Sequence, residues 1–377
     1  MSTLRSHVLF AGGGTAGHLF PGLAVADYLR RHAPQVRISF AGTGKAFERR
    51  YVEAAGFSYL DLPCRPFPRR ATEALKFVTE NVAGYYAARR YLREQQIGLV
   101  VGLGGYASVP AARGAASLDV PYVLLEQNAL PGRATRWLAT GASAICSTFD
   151  NIRPHLRQGA RVRVTGNPLR RAFLEQQTPV RHLPDRLAGR RKLLVMGGSG
   201  GAQSLNEQVP RALYKAGAVL HGWEVVHQAG ERDVARTAEL YKKLGIAATV
   251  APFLEELPRL MRESQLAISR AGGTTLAELA ASGLPAIVLP FPAATDDHQR
   301  KNAEAYSAAG ACRILDEREV SGRLDNRLAE VTIELAGDHR QRVRMAQGMT
   351  SLARPQATRR VARTIVALLQ SRQLSVA

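Results

Sequence analysis

Short apolar or β-branched runs alternate along this chain with longer stretches whose apolar residues recur at helical spacing. In the first half the runs are His7–Ala11, Val36–Ala41, Ser58–Leu62, Leu99–Leu103, Tyr122–Glu126, Ala144–Ser147 and Val162–Thr165. In the second they are Lys192–Met196, Glu224–His227, Ala248–Ala251, Leu266–Ser269, Ala286–Leu289 and Cys312–Leu315. Runs this short and continuous suit strands buried on both faces, and the helical stretches between them supply the covering layers. The pattern therefore predicts βαβ units and parallel sheets, an α/β chain of two doubly wound domains. No strand signal occupies 166–190, where NP, TP and LP breakers sit among arginines. The expected organisation is a first domain at 1–166, a linker at 167–190, a second domain at 191–356 and a terminal segment at 357–377. In that segment Val361, Ile365, Val366 and Leu369 fall on one helical face, suited to packing back on the first domain.

Composition changes the picture in one respect. With 377 residues and 46% apolar content the chain is long enough for two well-filled cores, but 51 Lys and Arg stand against 31 Asp and Glu, a formal charge of +20. An excess of that size concerns partners, and it points to something anionic: nucleic acid, a membrane face or a phosphorylated substrate. Cys64, Cys146 and Cys312 are far apart and odd in number, with no CxxC, so neither a disulfide framework nor a zinc site is expected. No apolar stretch reaches the ~18 residues of a membrane-spanning helix. The expected location is cytoplasmic and peripheral on the membrane.

In open parallel sheets the chemistry lies beyond the carboxyl ends of the strands. Unusual loops follow nearly every predicted strand here, among them GGGTAGH (12–18), GLGGYAS (102–108), EQN (126–128), GGSGGA (197–202), SRAGGTTLAE (269–278) and PFPAATDDHQRKN (290–302). A strand that breaks into glycines and then a helix leaves backbone N–H groups at the positive end of the helix dipole, a seat for phosphate. In GGSGGA, Ser199 adds a hydroxyl and Gly200 lets the backbone approach a ligand, and Arg170 or Arg270 could help neutralise a leaving diphosphate. No DxD pair lies between these loops, so no metal or other cofactor is required, although a divalent cation stays possible. His18 follows the first strand end, where a neutral imidazole can take a proton near pH 7; it also fits a simple cap on a helix starting at Leu19. Glu126 is the rival base. Glu278 suits bidentate binding of ribose hydroxyls, while Thr275 to Glu278 also fits a capping box. Asp296 and Asp297 read as helix N-caps rather than catalysts.

Taken in order, GTAGH before LFPGLAVA, GLGGYASVPA, LEQNALPGRATRWLA, TGNPLR, VMGGSGGAQSLN, SRAGGTTLAELAASGLP and DDHQRKNA closely resemble the MurG-type enzymes of glycosyltransferase family 28, almost end to end. The resemblance implies the GT-B fold, two Rossmann-like domains with an interdomain cleft, the first binding acceptor and the second nucleotide sugar. It implies inverting transfer of GlcNAc from UDP-GlcNAc to the C4 hydroxyl of MurNAc in undecaprenyl-pyrophosphoryl-MurNAc-pentapeptide, the lipid I to lipid II step of peptidoglycan synthesis. Cell-wall synthesis or division proteins are the protein partners it suggests. Carried onto this chain, it implies that Gly14, Gly104, Gly105 and Tyr106 meet the acceptor and that His18 is the base. The donor would meet Thr15, Ala16, Gly17, Arg170, Ser199, Gly200, Arg270, Gly273, Thr274 and Glu278, with the Phe253 and Leu254 backbone on uracil. His298 and Gln299 would bind the GlcNAc hydroxyls, with Asn128 near the transfer centre. Ala16, Leu125 and Gly200 depart from the family's usual glycine, histidine and glutamine.

The segment PCRPFPRR (63–70) places Arg65, Phe67, Arg69 and Arg70 together, an element suited to an anionic membrane surface. In the helical stretch after it, Leu75, Val78, Val82 and Tyr85 are expected to face the sheet. A rival class, nucleic-acid binding, rests on charge alone, since no recognisable binding module is present. Nearer rivals are other UDP-sugar enzymes of the same fold, a glycolipid glycosyltransferase or a UDP-GlcNAc 2-epimerase.

Overall fold

The computed structural model describes residues 6–68, 70–174, 191–198, 200–320 and 322–374. Arg69, Ser199 and most of the expected linker lie outside the described residues. The chain forms two units, 1–170 with 354–377, and 171–353.

In the first unit the strands are β1 (His7–Ala11), β2 (Arg37–Gly42), β3 (Ser58–Asp61), β4 (Ile97–Gly102), β5 (Tyr122–Glu126), β6 (Ala144–Ser147) and β7 (Val162–Val164). The helices are α1 (Ala16–His32), α2 (Ala46–Ala54), α3 (Ala74–Glu94), α4 (Val109–Ala116) and α5 (Arg133–Leu138). The sheet runs β3-β2-β1-β4-β5-β6-β7, every described pair parallel. Side chains alternate across it, as a period of two demands. Val8 and Phe10 enter one core with Leu19, Val25 and Leu29 of α1, while Leu9 and Ala11 enter the other with Ala88 and Leu92 of α3 and Ala111 and Ala115 of α4. The first core also takes Val361, Ile365 and Leu369 from the C-terminal helix Ala357–Leu374, each worth ~1.5–3 kcal/mol when fully buried.

The second unit holds α6 (Gln203–Ala216), α7 (Val234–Lys243), α8 (Leu257–Glu263), α9 (Gly273–Ser282), α10 (His298–Ala308), α11 (Leu324–Gly337) and α12 (His339–Leu352). Its strands are β8 (Arg191–Met196), β9 (Trp223–Gln228), β10 (Ala248–Ala251), β11 (Leu266–Ser269), β12 (Ala286–Val288) and β13 (Cys312–Ile314), in the order β10-β9-β8-β11-β12-β13. Strand order reverses between β1 and β4 in one sheet and between β8 and β11 in the other. In open parallel sheets ligands bind beyond the carboxyl ends of the strands at such switch points.

The expected face of α3 is not the one that packs. Its buried residues are Gly84, Ala88 and Leu92, while Leu75, Val78, Val82 and Tyr86 are exposed. The cause is the preceding segment, which lies against the helix. A Cβ at Gly84 would stand 1.9 Å from the Pro63 carbonyl oxygen, Asn81 Nδ2 donates to the Arg65 carbonyl at 3.2 Å, and Phe67 meets Phe77 edge-on at 5.5 Å.

Candidate functional site

The loops after β1 and β4 meet at the first switch point. Gly12, Gly13 and Gly14 all have positive φ, and α1 then starts at Ala16 with Thr15 in the N-cap position. His18 is thus the third helical residue, and the idea that it caps a helix starting at Leu19 is corrected. The Thr15 hydroxyl lies 3.1 Å from His18 Nδ1 and fixes the ring. The imidazole rests on the Gly104–Gly105 turn: a Cβ at Gly104 would be 2.9 Å from His18 Cδ2, and both glycines have positive φ. Tyr106 opens the next turn, which Ser108 closes by donating to the Gly105 carbonyl at 2.8 Å. Gln127, absent from the residues picked out by sequence, donates to the Leu103 carbonyl at 3.0 Å and lies against the same Gly104 position.

Glu126 is 4% exposed, and burial pushes its carboxyl above the usual range. Oε1 accepts from the Asn128 amide (3.0 Å) and side chain (3.1 Å), and Oε2 accepts from the Gly132 amide (3.1 Å) and Thr135 hydroxyl (2.6 Å). Four donors on two oxygens make it the clamp of the loop 126–135. That geometry counts against the rival-base reading, because a base needs a lone pair turned to its substrate.

In the second unit the glycine loop after β8 is threaded against the loop after β9. A Cβ at Gly201 would stand 2.1 Å from the Ala229 carbonyl oxygen, and one at Gly230 would be 2.8 Å from that of Gly200. The N-cap Ala202 supplies no side-chain cap to α6, so the first-turn amides of that helix face the loop without one. A single amide joins this loop to the next: Gln228 Nε2 donates to the Gly198 carbonyl at 2.8 Å, and its Oε1 accepts from the Leu254 amide at 3.2 Å. Of the Phe253 and Leu254 backbone groups expected on uracil, the Leu254 N–H is therefore already engaged. Behind the loop, His227 lies between Asn206 Oδ1 (3.1 Å) and the Tyr241 hydroxyl (3.0 Å), and burial pushes its pKa down to about 3, so it is neutral near pH 7.

The loops after β11 and β12 are tied by Gln299, whose Oε1 accepts from the Ala271 amide (3.2 Å) and the Phe291 amide (2.9 Å). Arg270, expected to neutralise a diphosphate, is instead buried and ion-paired with Glu317, and it donates to the Leu289 carbonyl at 3.2 Å. Helix α9 starts at Gly273 with Gly272 as N-cap, so Thr275 is its third residue and Glu278 its sixth. That frame excludes the capping box, which needs Thr275 in the N-cap position. Thr274 and Glu278 are buried. His298 Nδ1 lies 2.7 Å from the Thr295 carbonyl oxygen. Asp297 takes the N-cap position of α10 in a left-handed conformation but makes no side-chain cap; its carboxylate accepts from Arg318 at 3.1 and 3.2 Å, against the capping expectation.

Residues 8–147 match the glycosyltransferase family 28 N-terminal domain, and residues 192–356 match the family's C-terminal domain. The UDP-N-acetylglucosamine–N-acetylmuramyl-(pentapeptide) pyrophosphoryl-undecaprenol N-acetylglucosamine transferase of Stutzerimonas stutzeri is 38% identical over 364 residues, 95% of this chain and 97% of that protein. The transferase of the same name from Geobacter metallireducens is 35% identical over 348 residues, 92% of this chain and 94% of that protein. The chain belongs to glycosyltransferase family 28. The crystal structure of MurG from Acinetobacter baumannii superposes with a TM-score of 0.75 at 27% identity, covering 96% of this chain and 99% of that one, and the two parallel sheets are those of the GT-B fold.

Within this family-28 chain, then, Gly104, Gly105 and Tyr106, expected on the acceptor side, gather around one turn with His18, the expected base, and Thr15, expected on the donor. Gly14 differs: its amide donates to a buried carboxylate, Glu48, which sequence reasoning missed. Arg170 lies with its guanidinium 4.5 Å from the Phe20 ring centroid, within the first unit. On the exposed surface, Phe67 (69% exposed) and Leu75 (75%) flank Val78, Val82 and Tyr86. Arg65, expected to meet headgroups, is paired with Glu80 at 2.7 Å, whereas Arg70 and Lys76 are exposed beside the apolar residues. Among the described residues no group of three or more His, Cys, Asp or Glu is placed to hold a metal ion.

Proposed function

We infer that this chain transfers GlcNAc from UDP-GlcNAc to the C4 hydroxyl of MurNAc in lipid I, with inversion at the anomeric carbon, and so makes lipid II. The observation that carries the reading is near full-length likeness to transferases of that name, joined to an imidazole seated on the glycine turn of a switch point. The acceptor hydroxyl attacks the anomeric carbon as its proton passes to His18, whose Nδ1 is held by Thr15 and whose Nε2 is the nitrogen assigned to receive it. Charge growing on the departing UDP is met by the amides of Gly200 and the first turn of α6, with Glu278 on the ribose. Asn128, which the Glu126 clamp orders, and His298 with Gln299 orient the sugars.

Purified protein given labelled UDP-GlcNAc and a short-chain lipid I analogue should yield the β-linked disaccharide and UDP in equal amounts. Epimerised UDP-sugar without transfer would overturn the reading in favour of a 2-epimerase.

The reading also locates the enzyme on the anionic cytoplasmic face of the membrane, where its lipid acceptor resides. Among the described residues no helix is long and apolar enough to cross a membrane. The start of α3 with Phe67, flanked by Arg70 and Lys76, suits shallow insertion beside anionic headgroups. Replacing Leu75, Val78 and Val82 with Ser should weaken partitioning onto anionic vesicles by about 10²-fold, because each side chain moving half its surface out of water contributes ~1 kcal/mol. Turnover of a water-soluble acceptor should stay unchanged. Vesicle binding equal to wild type in a sedimentation assay would refute this face as the anchor.

A further inference from the structure

The first glycine loop has the form of an anion cradle, yet an anion from the protein itself already fills it. Glu48, on the first turn of α2, is fully buried. Oε1 accepts from the Gly14 amide and, at 2.7 Å, from the Thr43 hydroxyl; Oε2 accepts from the Thr43 amide at 2.7 Å and from the Tyr59 hydroxyl. Burial, then the hydrogen bond to Glu48, pushes the Tyr59 phenol well above its ordinary range, so it remains a neutral donor. Lys45 adds a cation at the rim by donating to the Gly14 carbonyl at 3.1 Å. Two further glycines make room for the carboxylate: a Cβ at Gly13 would stand 2.8 Å from Oε1, and one at Gly42 would be closer still to Oε2.

We propose that Glu48 is the positioning residue of the acceptor loop: its carboxylate holds Gly14 from beneath, fixes the turn that carries Thr15 and His18 over Gly104 and Gly105, and keeps the Gly14 amide from binding the acceptor's pyrophosphate. Two physical arguments support this. A carboxylate accepting from backbone N–H and two hydroxyls forms charge-assisted bonds, about twice as strong as neutral ones, and so holds the loop tightly. A second anion brought to the same amide would meet both an engaged donor and a like charge in a poorly solvated place. The pyrophosphate must then be received by other groups of the first unit. The proposal rests on the lipid I transferase reading and adds to it the part that sets the geometry of the base.

The test is Glu48→Gln, equal in shape but carrying an NH₂ where one oxygen accepted, so that at least one donor faces a donor. Expected are a kcat on the soluble lipid I analogue lowered ~10²-fold, the cost of misplacing a reacting group by about 1 Å, and loss of hydrogen-exchange protection at Gly14. The Kd for UDP, measured calorimetrically, and the KM for the acceptor should stay within about twofold, since neither ligand loses a contact. Tyr59→Phe removes one donor of the four and should cost roughly 3- to 10-fold in kcat with the same unchanged Kd. It decides the matter if the Gln variant fails to bind UDP. Wild-type kcat in either folded variant, or an acceptor KM raised with kcat intact, would overturn the proposal. A wild-type enzyme inactive on lipid I would instead overturn the transferase reading, while Gly14 protection would still report on the latch.

Discussion

Replacing His18 by alanine is expected to lower kcat by ~10²–10⁴-fold while leaving UDP affinity unchanged, the range for losing a general base in the transition state. Folding should be little affected. His18 is the third residue of α1 and half-buried, and alanine is the better helix former at such a place. The ring meets the Thr15 hydroxyl and the glycine turn at 104 and 105 and belongs to neither hydrophobic core of the first unit, so the substitution leaves those cores intact. Thr15→Val should reproduce part of the loss, because an imidazole without its Nδ1 partner samples other orientations and tautomers. Equal kcat in wild type and His18→Ala across roughly pH 6 to 9 would remove His18 from the reaction. Glu126 is a poor substitute, since its two oxygens already serve four donors.

What could be read from the chain follows from the range of the forces that write it. Strands β1, β5, β6, β10 and β11 begin and end where their apolar runs do, and the glycine breaks that follow them are local backbone requirements. Because a parallel sheet concentrates chemistry at strand ends, the loops carrying His18 and the 104–105 glycines could be singled out before any contact was known, while only the family resemblance assigned those glycines to the acceptor. The features that escaped depend on partners distant in sequence. Glu48 meets Gly14 from 34 positions away, Gln228 meets Leu254 from 26, and Arg270 finds Glu317 across 47. Nothing in a local pattern distinguishes a carboxylate that will be buried under a loop from one that will be solvated. The face of α3 misled for a related reason: periodicity marks an apolar stripe, and only the path of 63–67 across Gly84 decides what that stripe touches.

For Glu278→Ala the expected result is a rise of roughly 10²-fold in the KM for UDP-GlcNAc with kcat at saturation little changed. Charge-assisted hydrogen bonds contribute ~1.5–3 kcal/mol each, and water at the emptied position recovers part of the two that are lost. The residue is the sixth of α9, on a helix that starts at Gly273 without a side-chain cap, so alanine there removes no capping interaction and slightly favours the helix. A purely structural role makes a different forecast: a lower melting temperature at unchanged nucleotide affinity. A 2′-deoxyribose analogue of the donor separates the two. If Glu278 holds the ribose, wild type should bind the analogue more weakly than UDP-GlcNAc, while the Ala variant should bind both alike, the non-additivity that direct contact produces. Full additivity between the variant and the analogue would place the carboxylate away from the ribose.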